Sequence, residues 1–400
     1  MSERPTLGQD PTRLKVIDLG TMVAGPFAAT LLGDFGADVI KIERPDGDGD
    51  RMRNPDYWPV EGRNKRSVTL DLRTEEGKAI LLKLVAWADV LVENFKPGTM
   101  AKWGMGYDTL SALNPRLVYV SVSGFGQTGP NSPRPGYDHV GAAFGGLWYV
   151  TGFPDRPPCL PGLPVADYFT GTFAAMGALE AIRRRDCPGG TGKGEWVELG
   201  LYEPMIRIAG ANFIRHSRRG HVSERVGSMP LDDQPPAGLP HGVSYETRDG
   251  HWISMFPVTN QQWDLLARII PEAGPPLCPI EAIKRNPRVS DGVIRRWIRE
   301  RDYATVMATF IEGDLPVSPI YNTADIVGDP HVQARGNIVA TQDFEGNDIR
   351  MQGVVPRLVR EPGAVRWAGE ALGASNQAVY EELLGLSAEE LQSLSERKVI

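Results

Sequence analysis

One carboxylate in this chain stands where its surroundings could make it reactive. Asp167 lies in Pro161-Gly-Leu-Pro-Val-Ala-Asp-Tyr-Phe-Thr-Gly-Thr172, where a Pro/Gly-rich loop gives way to a helical run over Phe169 to Arg185. Unpaired backbone N–H groups and the positive end of a helix dipole hold an anion at such a place without a neighbouring cation. Asp is also a favoured N-cap, so the bland reading of Asp167 is a cap and the sharp one a nucleophile. His139, in Gly136-Tyr-Asp-His139, is either a general base or a structural histidine. Arg44, Arg51, Arg53, Lys65 and Arg66 are either a solvated patch or an anchor for a phosphorylated ligand, because the guanidinium fork matches two phosphate oxygens at once.

Other chemistries find no support. Gly124-Phe-Gly-Gln-Thr-Gly129 matches a dinucleotide fingerprint, but Pro130, Pro133 and Pro135 follow it, so no helix can open there to hold a pyrophosphate. Its glycines read instead as places where backbone passes close to a ligand or another chain. Gly192-Lys-Gly lacks the remainder of a Walker loop, and neither GxSxG nor HExxH occurs. Cys159, Cys187 and Cys278 form no CxxC pair, which suits a reducing cytoplasm and offers no zinc site. A net charge of -7 argues against nucleic acid or an anionic membrane as the main partner. The start, Met-Ser-Glu-Arg-Pro-Thr, lacks the apolar core of a signal peptide, and no stretch has the length and apolarity of a bilayer span.

The elements that must position these residues follow an α/β pattern. Lys15 to Leu19, Ala37 to Glu43, Asp89 to Glu93 and Leu117 to Ser123 read as buried strands. Helical runs at Phe27 to Phe35 and Thr74 to Ala88 separate them. Right-handed crossovers would make the sheet parallel. Residues 124–166 are long and punctuated by proline and glycine, as functional connections or linkers are. A strand is expected from Glu195 to Leu201, then one long helix from Leu201 to His216. From about 225 to 320 the pattern changes to a smaller domain, with a strand at His251 to Phe256 and amphipathic helices at Gln261 to Ile270 and Tyr303 to Ile311. A last amphipathic helix is expected from Asn376 to Leu386.

Eight segments occur in an order that resembles the class III CoA-transferases, relatives of formyl-CoA transferase, carnitine CoA-transferase and 2-methylacyl-CoA racemase. They are Ala24-Gly-Pro, Gly36 to Arg44, Asn64-Lys-Arg-Ser67, Val92 to Gly98, Ser123 to Gln127, Gly136-Tyr-Asp138, Pro164-Val-Ala-Asp167 and Asp329-Pro to Arg335-Gly. The resemblance implies a Rossmann-like large domain with a smaller α+β domain, in an obligate, interlocked, ring-like homodimer. The chain would divide into 1–224 of the large domain, 225–320 as the small domain, and 321–400 returning to the large one.

The resemblance makes Asp167 the catalytic residue of a transferase that moves CoA from an acyl-CoA thioester to a free carboxylic acid. The path runs through an aspartyl anhydride and an aspartyl-CoA thioester, with loop N–H groups stabilising the oxyanions. Coenzyme A and acyl-CoA are substrates, and no tightly bound cofactor or metal is implied. Arg44 and Lys102 would take the nucleotide phosphates, Leu70, Leu72, Asn94 and Phe95 the adenine, and Tyr137 the region of the thioester. Lys102 replaces an arginine of some relatives, so its contact would be point-like. Val23 replaces the glutamine of formyl-CoA transferases, which points away from oxalate or formate towards a bulkier or more apolar acyl group. The glycine-rich loop of those enzymes has no counterpart near Pro235 to Pro240. Loops 146–165 and 225–245 are the expected pocket walls, with Val23 and His139 as substrate-pocket candidates.

Two other functions stay open. A 2-methylacyl-CoA racemase exchanges the proton beside the thioester carbonyl, but its histidine position is Tyr137 here, and His139 on the far side of Asp138 would point elsewhere from an extended segment. A catalytically silent acyl-CoA-binding homologue would have no need of Asp167.

Overall fold

A computed structural model of the chain describes residues 7–8, 10–47, 51, 55–227, 244–255, 257, 259–270 and 287–400. Arg53, Cys278, Pro235 to Pro240 and nearly all of the 225–245 loop lie outside the described residues. The chain forms two compact units. One comprises residues 1–146, 162–208 and 331–400, and the other comprises 147–161 and 209–330. This division places the borders near 209 and 330 rather than at 225 and 320. It also assigns 147–161 to the second unit, where Arg225 donates to the Tyr149 carbonyl at 2.9 Å and Gly227 N–H to that of Gly152 at 2.8 Å. Those bonds join segments too far apart in sequence for local patterning to pair.

In the first unit β1 (Lys15–Asp18), β2 (Asp38–Glu43), β3 (Lys65–Thr69), β4 (Val90–Glu93), β5 (Val118–Ser123) and β6 (Trp196–Gly200) form one sheet in the order β3-β2-β1-β4-β5-β6. Every pairing is parallel. This is the strand order of the Rossmann doubly wound fold, whose ligand crevice opens at the carboxyl ends of the two strands where the order reverses, here β1 and β4. The connecting helices are α1 (Ala24–Asp34), α2 (Trp58–Glu61), α3 (Glu75–Trp87), α4 (Thr99–Lys102), α5 (Tyr107–Leu113), α6 (Asp138–Phe144), α7 (Val165–Asp186) and α8 (Glu203–Ile208).

Local chemistry sets these boundaries. Thr74 caps α3 by accepting from Gly77 N–H at 3.0 Å, and Glu75 and Glu76 complement the dipole in the first turn. β1, β2, β4 and β5 are buried along almost their whole length, and two apolar layers lie on the sheet. Ile17, Ile40, Leu81 and Leu91 are in one layer, and Val16, Val39, Val90 and Val120 are in the other. Alternation of faces along each strand assigns neighbours to opposite layers.

The expected helix over 201–216 is two helices, α8 and α9 (Asn212–Arg219), because Gly210 takes a positive φ of 61° that interrupts the ladder. In the second unit β7 (Ser244–Glu246), β8 (Trp252–Met255) and, after α10 (Asn260–Ile269), α11 (Pro287–Arg299) and α12 (Tyr303–Glu312), β9 (Val317–Pro319) make an antiparallel sheet. Its core includes Trp263, Leu266, Ile298 and Phe310. The chain then re-enters the first unit with the hairpin β10 (Ile338–Gln342) and β11 (Asp348–Gln352). The helix expected over 376–386 is a π-helical turn, Ala378–Leu383, and the last α-helix is α13 (Ala388–Glu396), set by a capping box of Ser387 and Glu390. The returning segment lies on β3. Asn64 N–H donates to the Trp367 carbonyl at 3.1 Å, and Ser375 N–H to that of Ser67 at 2.9 Å.

Candidate active site

Asp167 is in the first turn of the 22-residue α7, three positions after the N-cap, which is Pro164. It is therefore not the capping residue. Its backbone N–H donates instead to the carboxylate of Asp138 at 3.1 Å. Asp138 itself opens α6 and comes from the Gly136-Tyr-Asp138 segment, so two helix starts meet. Asp138 thus takes up one of the unpaired donors at the head of α7, and the Asp167 side chain is left partly exposed. Sequence reading gave Asp138 no role, because its partner lies on a separate element.

Glycines set the approach of the Asp138 segment. A side chain on Gly124 would come within 2.6 Å of Gly136 Cα, so the two strands of backbone touch directly. Gly124 therefore admits another part of the same chain, whereas a side chain on Gly129 would meet nothing within 4 Å. No helix starts between them.

Tyr137 is 59% exposed and precedes α6, whose second residue is His139, also exposed. Their rings lie 6.4 Å apart and 17° from parallel. The expectation that His139 points elsewhere assumed an extended segment. A helix beginning at Asp138 places the two rings side by side instead.

The other candidates gather at the carboxyl ends of β1 to β4. Val23 ends the β1 loop and is the N-cap of α1, nearly buried. Asn94 grips that loop with both halves of its amide: Oδ1 accepts from Thr21 N–H at 2.7 Å, and Nδ2 donates to the Thr21 carbonyl at 2.6 Å. Leu70 and Leu72 are buried in one apolar layer, and Phe95 packs against it. Phe95 also meets the Trp103 ring edge-on at 5.4 Å. Lys102 closes α4 beside Trp103 and is exposed. Arg44 is exposed, pairs with Asp46, and stands within electrostatic reach of Asp71, which in turn holds Arg73 at 2.7 Å. Arg73 is a further exposed cation beside Leu72 that sequence reading passed over.

The basic cluster does not stay together. Lys65 is buried and donates to Asp18 at 2.8 Å, while burial would raise the Asp18 carboxyl but Lys41 and Lys65 hold it below its ordinary value. Arg51 pairs with Glu43 at 2.8 Å and lies over the Trp58 ring, 3.6 Å from its centre. Arg66 faces Glu370 at 3.8 Å and the Trp367 ring at 5.4 Å. Among the described members only Arg44 presents its charge at the surface, so the phosphate-anchor reading narrows to that residue.

Glu61 and Glu93 are among the acids buried in this unit. Burial raises Glu61 to about 7, with Lys65, the Tyr168 hydroxyl and Arg63 pulling the other way. Burial also raises Glu93 to about 7, opposed by hydrogen bonds from Phe95 N–H and the Tyr119 hydroxyl. Among the described residues no cluster of His, Cys, Asp and Glu has the makings of a metal site, and no helix is long and apolar enough to cross a membrane.

A Rossmann-ordered sheet with an aspartate at the head of a long crossover helix defines a class, and comparison with known proteins supplies its chemistry. Residues 12–376 match CoA-transferase family III, and the chain belongs to that family. It is a class III CoA-transferase, an enzyme that moves CoA between an acyl-CoA thioester and an acid. The succinyl-CoA–D-citramalate CoA-transferase of Chloroflexus aurantiacus is 38% identical over 412 residues, covering 100% of both chains. The succinyl-CoA–L-malate CoA-transferase alpha subunit of the same organism is 38% identical, covering 99% of this chain and 94% of its own. A CaiB/BaiF family protein from Brucella suis superposes with a TM-score of 0.80 at 29% identity, over 92% of this chain and 98% of its own.

Proposed function

We propose that the enzyme transfers CoA from succinyl-CoA to a small dicarboxylic or hydroxydicarboxylic acid, with Asp167 as nucleophile. The relatives named for succinyl-CoA with D-citramalate or L-malate support the substrate class. The observation that carries the mechanism is the meeting of the two helix starts, at which Asp138 accepts the Asp167 N–H and Asp167 remains partly exposed.

The steps follow from the chemistry of a carboxylate. Asp167 attacks the thioester carbonyl, the C–S bond breaks, and CoA leaves as thiolate from a mixed anhydride. The thiolate attacks the aspartyl carbonyl and expels the donor as a free carboxylate, leaving an aspartyl-CoA thioester. The acceptor carboxylate attacks that thioester to form a second anhydride and free thiolate. The thiolate then takes the acceptor's acyl carbon, and Asp167 returns as a carboxylate. A serine would trap the acyl group as an ester too stable to pass it back to a thiolate. Binding CoA falls to Arg44, Arg73 and Lys102 at the phosphates, and to the rim of Leu70, Leu72, Asn94 and Phe95 at the adenine. Tyr137 flanks the thioester, and Val23 and His139 shape the acyl pocket. Two chains form an interlocked homodimer.

Incubation with succinyl-CoA and a panel of acids, read by mass detection of new thioesters, tests the substrate class. New thioesters of four- and five-carbon dicarboxylic acids are expected. Exclusive use of monocarboxylic acids would refute the assignment.

A further inference from the structure

Glu61 ends α2 with only 4% of its surface exposed, and one of its two carboxylate oxygens is hydrogen-bonded. Oε1 accepts from the Tyr168 hydroxyl at 3.1 Å, whereas Oε2 is buried without a hydrogen-bond partner. An acid buried in that way costs free energy, so a purely structural role would be served better by a neutral side chain. Lys65 faces it from β3, Asp18 from β1, Arg63 from its own turn and Tyr168 from α7, with Tyr57 and Asp167 within reach of the tyrosine. Lys65 is shared, since its ammonium donates to Asp18 at 2.8 Å and to the Pro26 carbonyl at 2.7 Å. From α1, Thr30 donates to the Glu61 carbonyl at 2.8 Å, and the Phe27 ring meets Tyr168 edge-on at 4.8 Å. Tyr168 is the residue after Asp167.

We propose that Glu61 is a positioning residue for CoA transfer: through the Tyr168 hydroxyl it fixes the first turn of α7 and so the direction in which Asp167 attacks. The proposal rests on the reading of Asp167 as nucleophile. An ionised carboxylate accepts a hydrogen bond more strongly than a neutral one, so the tether is tightest when Glu61 is charged. Burial moves that ionisation to about 7, inside the working range of an enzyme. Transfer therefore weakens on the acid side of neutrality as Glu61 takes up a proton, without loss of CoA binding.

The test measures kcat and KM for succinyl-CoA across neutral pH in wild type, Glu61→Gln, Tyr168→Phe and the double variant, all as full-length protein. Glu61→Gln should erase the kcat step near neutral pH and lower kcat on the alkaline side about tenfold, with KM little changed. Tyr168→Phe should do the same, and the double variant should be no worse than the poorer single one, because both remove one tether. An unaltered pH step in Glu61→Gln, or losses that multiply in the double variant, would overturn the proposal. Asp167→Asn assayed alongside separates the two readings. If it still transfers CoA, the covalent mechanism fails; if it is inactive while Glu61→Gln behaves as wild type, only the positioning role fails. Thermal melts of each variant show whether a lost activity reflects a lost fold.

Discussion

Asp138 and Asp167 divide between them two tasks that a helix start can give a carboxylate. Asp138 accepts the Asp167 N–H at the head of α7, and in the proposed mechanism the Asp167 carboxylate is the group that reacts. Removing Asp138 as a cap typically costs about 1 kcal/mol, and a loosened first turn should misalign the nucleophile. Asp138→Ala is therefore expected to lower kcat about tenfold or more while leaving KM for the acyl-CoA nearly unchanged, as steady-state kinetics will show. Arg44→Gln should do the reverse, raising KM for CoA thioesters about tenfold with kcat unchanged, because a phosphate held far from the reacting carbonyl contributes equally before and during attack. Equal effects of both variants on kcat would remove the distinction. Type and helical context alone favour a cap at Asp167 and the nucleophile reading rests on the family resemblance, but its place at a helix start was legible in the sequence. The role of Asp138 was not, because it exists only once α6 and α7 meet. Lys65 shows the same limit: it reads as a surface cation until Asp18 and the Pro26 carbonyl are beside it.

Helices α1 and α7 hold Val23 and Asp167 of the proposed site, and their closeness depends on Gly171. A Cβ there would stand 2.7 Å from the Ala24 carbonyl and 3.0 Å from the Phe27 ring, and a main-chain oxygen cannot step aside as a side chain can. Gly171→Val should therefore destabilise the protein by about 1–3 kcal/mol through overpacking and shift Phe27 against Tyr168. Urea denaturation measures the loss, and a wild-type midpoint would show that the contact is slack. The βαβ units were legible because buried strand runs and cap residues such as Thr74 repeat a local pattern. The break at Gly210 and the π-turn at Ala378–Leu383 were not, since a single glycine or an altered helical register leaves the periodicity almost intact. The dispersal of the basic cluster was hidden for a different reason. Glu370, which faces Arg66, returns to β3 from the far end of the chain.

For the whole molecule, the buried acids link stability to pH. A carboxyl raised by burial binds more protons folded than unfolded, so its stabilising contribution is complete below the unfolded value of 4.5. It is lost as pH rises through about 7. Glu61 and Glu93 should each forfeit about 3 kcal/mol across that window. Glu61→Gln is expected to raise Tm at pH 8 and to leave it almost unchanged at pH 5, in thermal melts at the two pH values; the opposite ordering would contradict the assignment. Assembly is the second property at this scale. Phe169, Met176 and Leu179 leave α7 exposed at apolar positions that recur on one side of the helix, as an interface between two chains would. Sedimentation should find two chains per particle, and Met176→Glu with Leu179→Glu should reduce that species. A monomer in the wild type would refute the interlocked dimer.

If Asp167 is the nucleophile, it becomes covalently attached to CoA during turnover. Intact-protein and peptide mass spectrometry after mixing with succinyl-CoA, without an acceptor acid, tests it most directly. A CoA adduct in thioester linkage is expected on the peptide containing Asp167, reversed by adding acceptor and absent from Asp167→Asn. A chain that stays unmodified while new acyl-CoA is formed would contradict it.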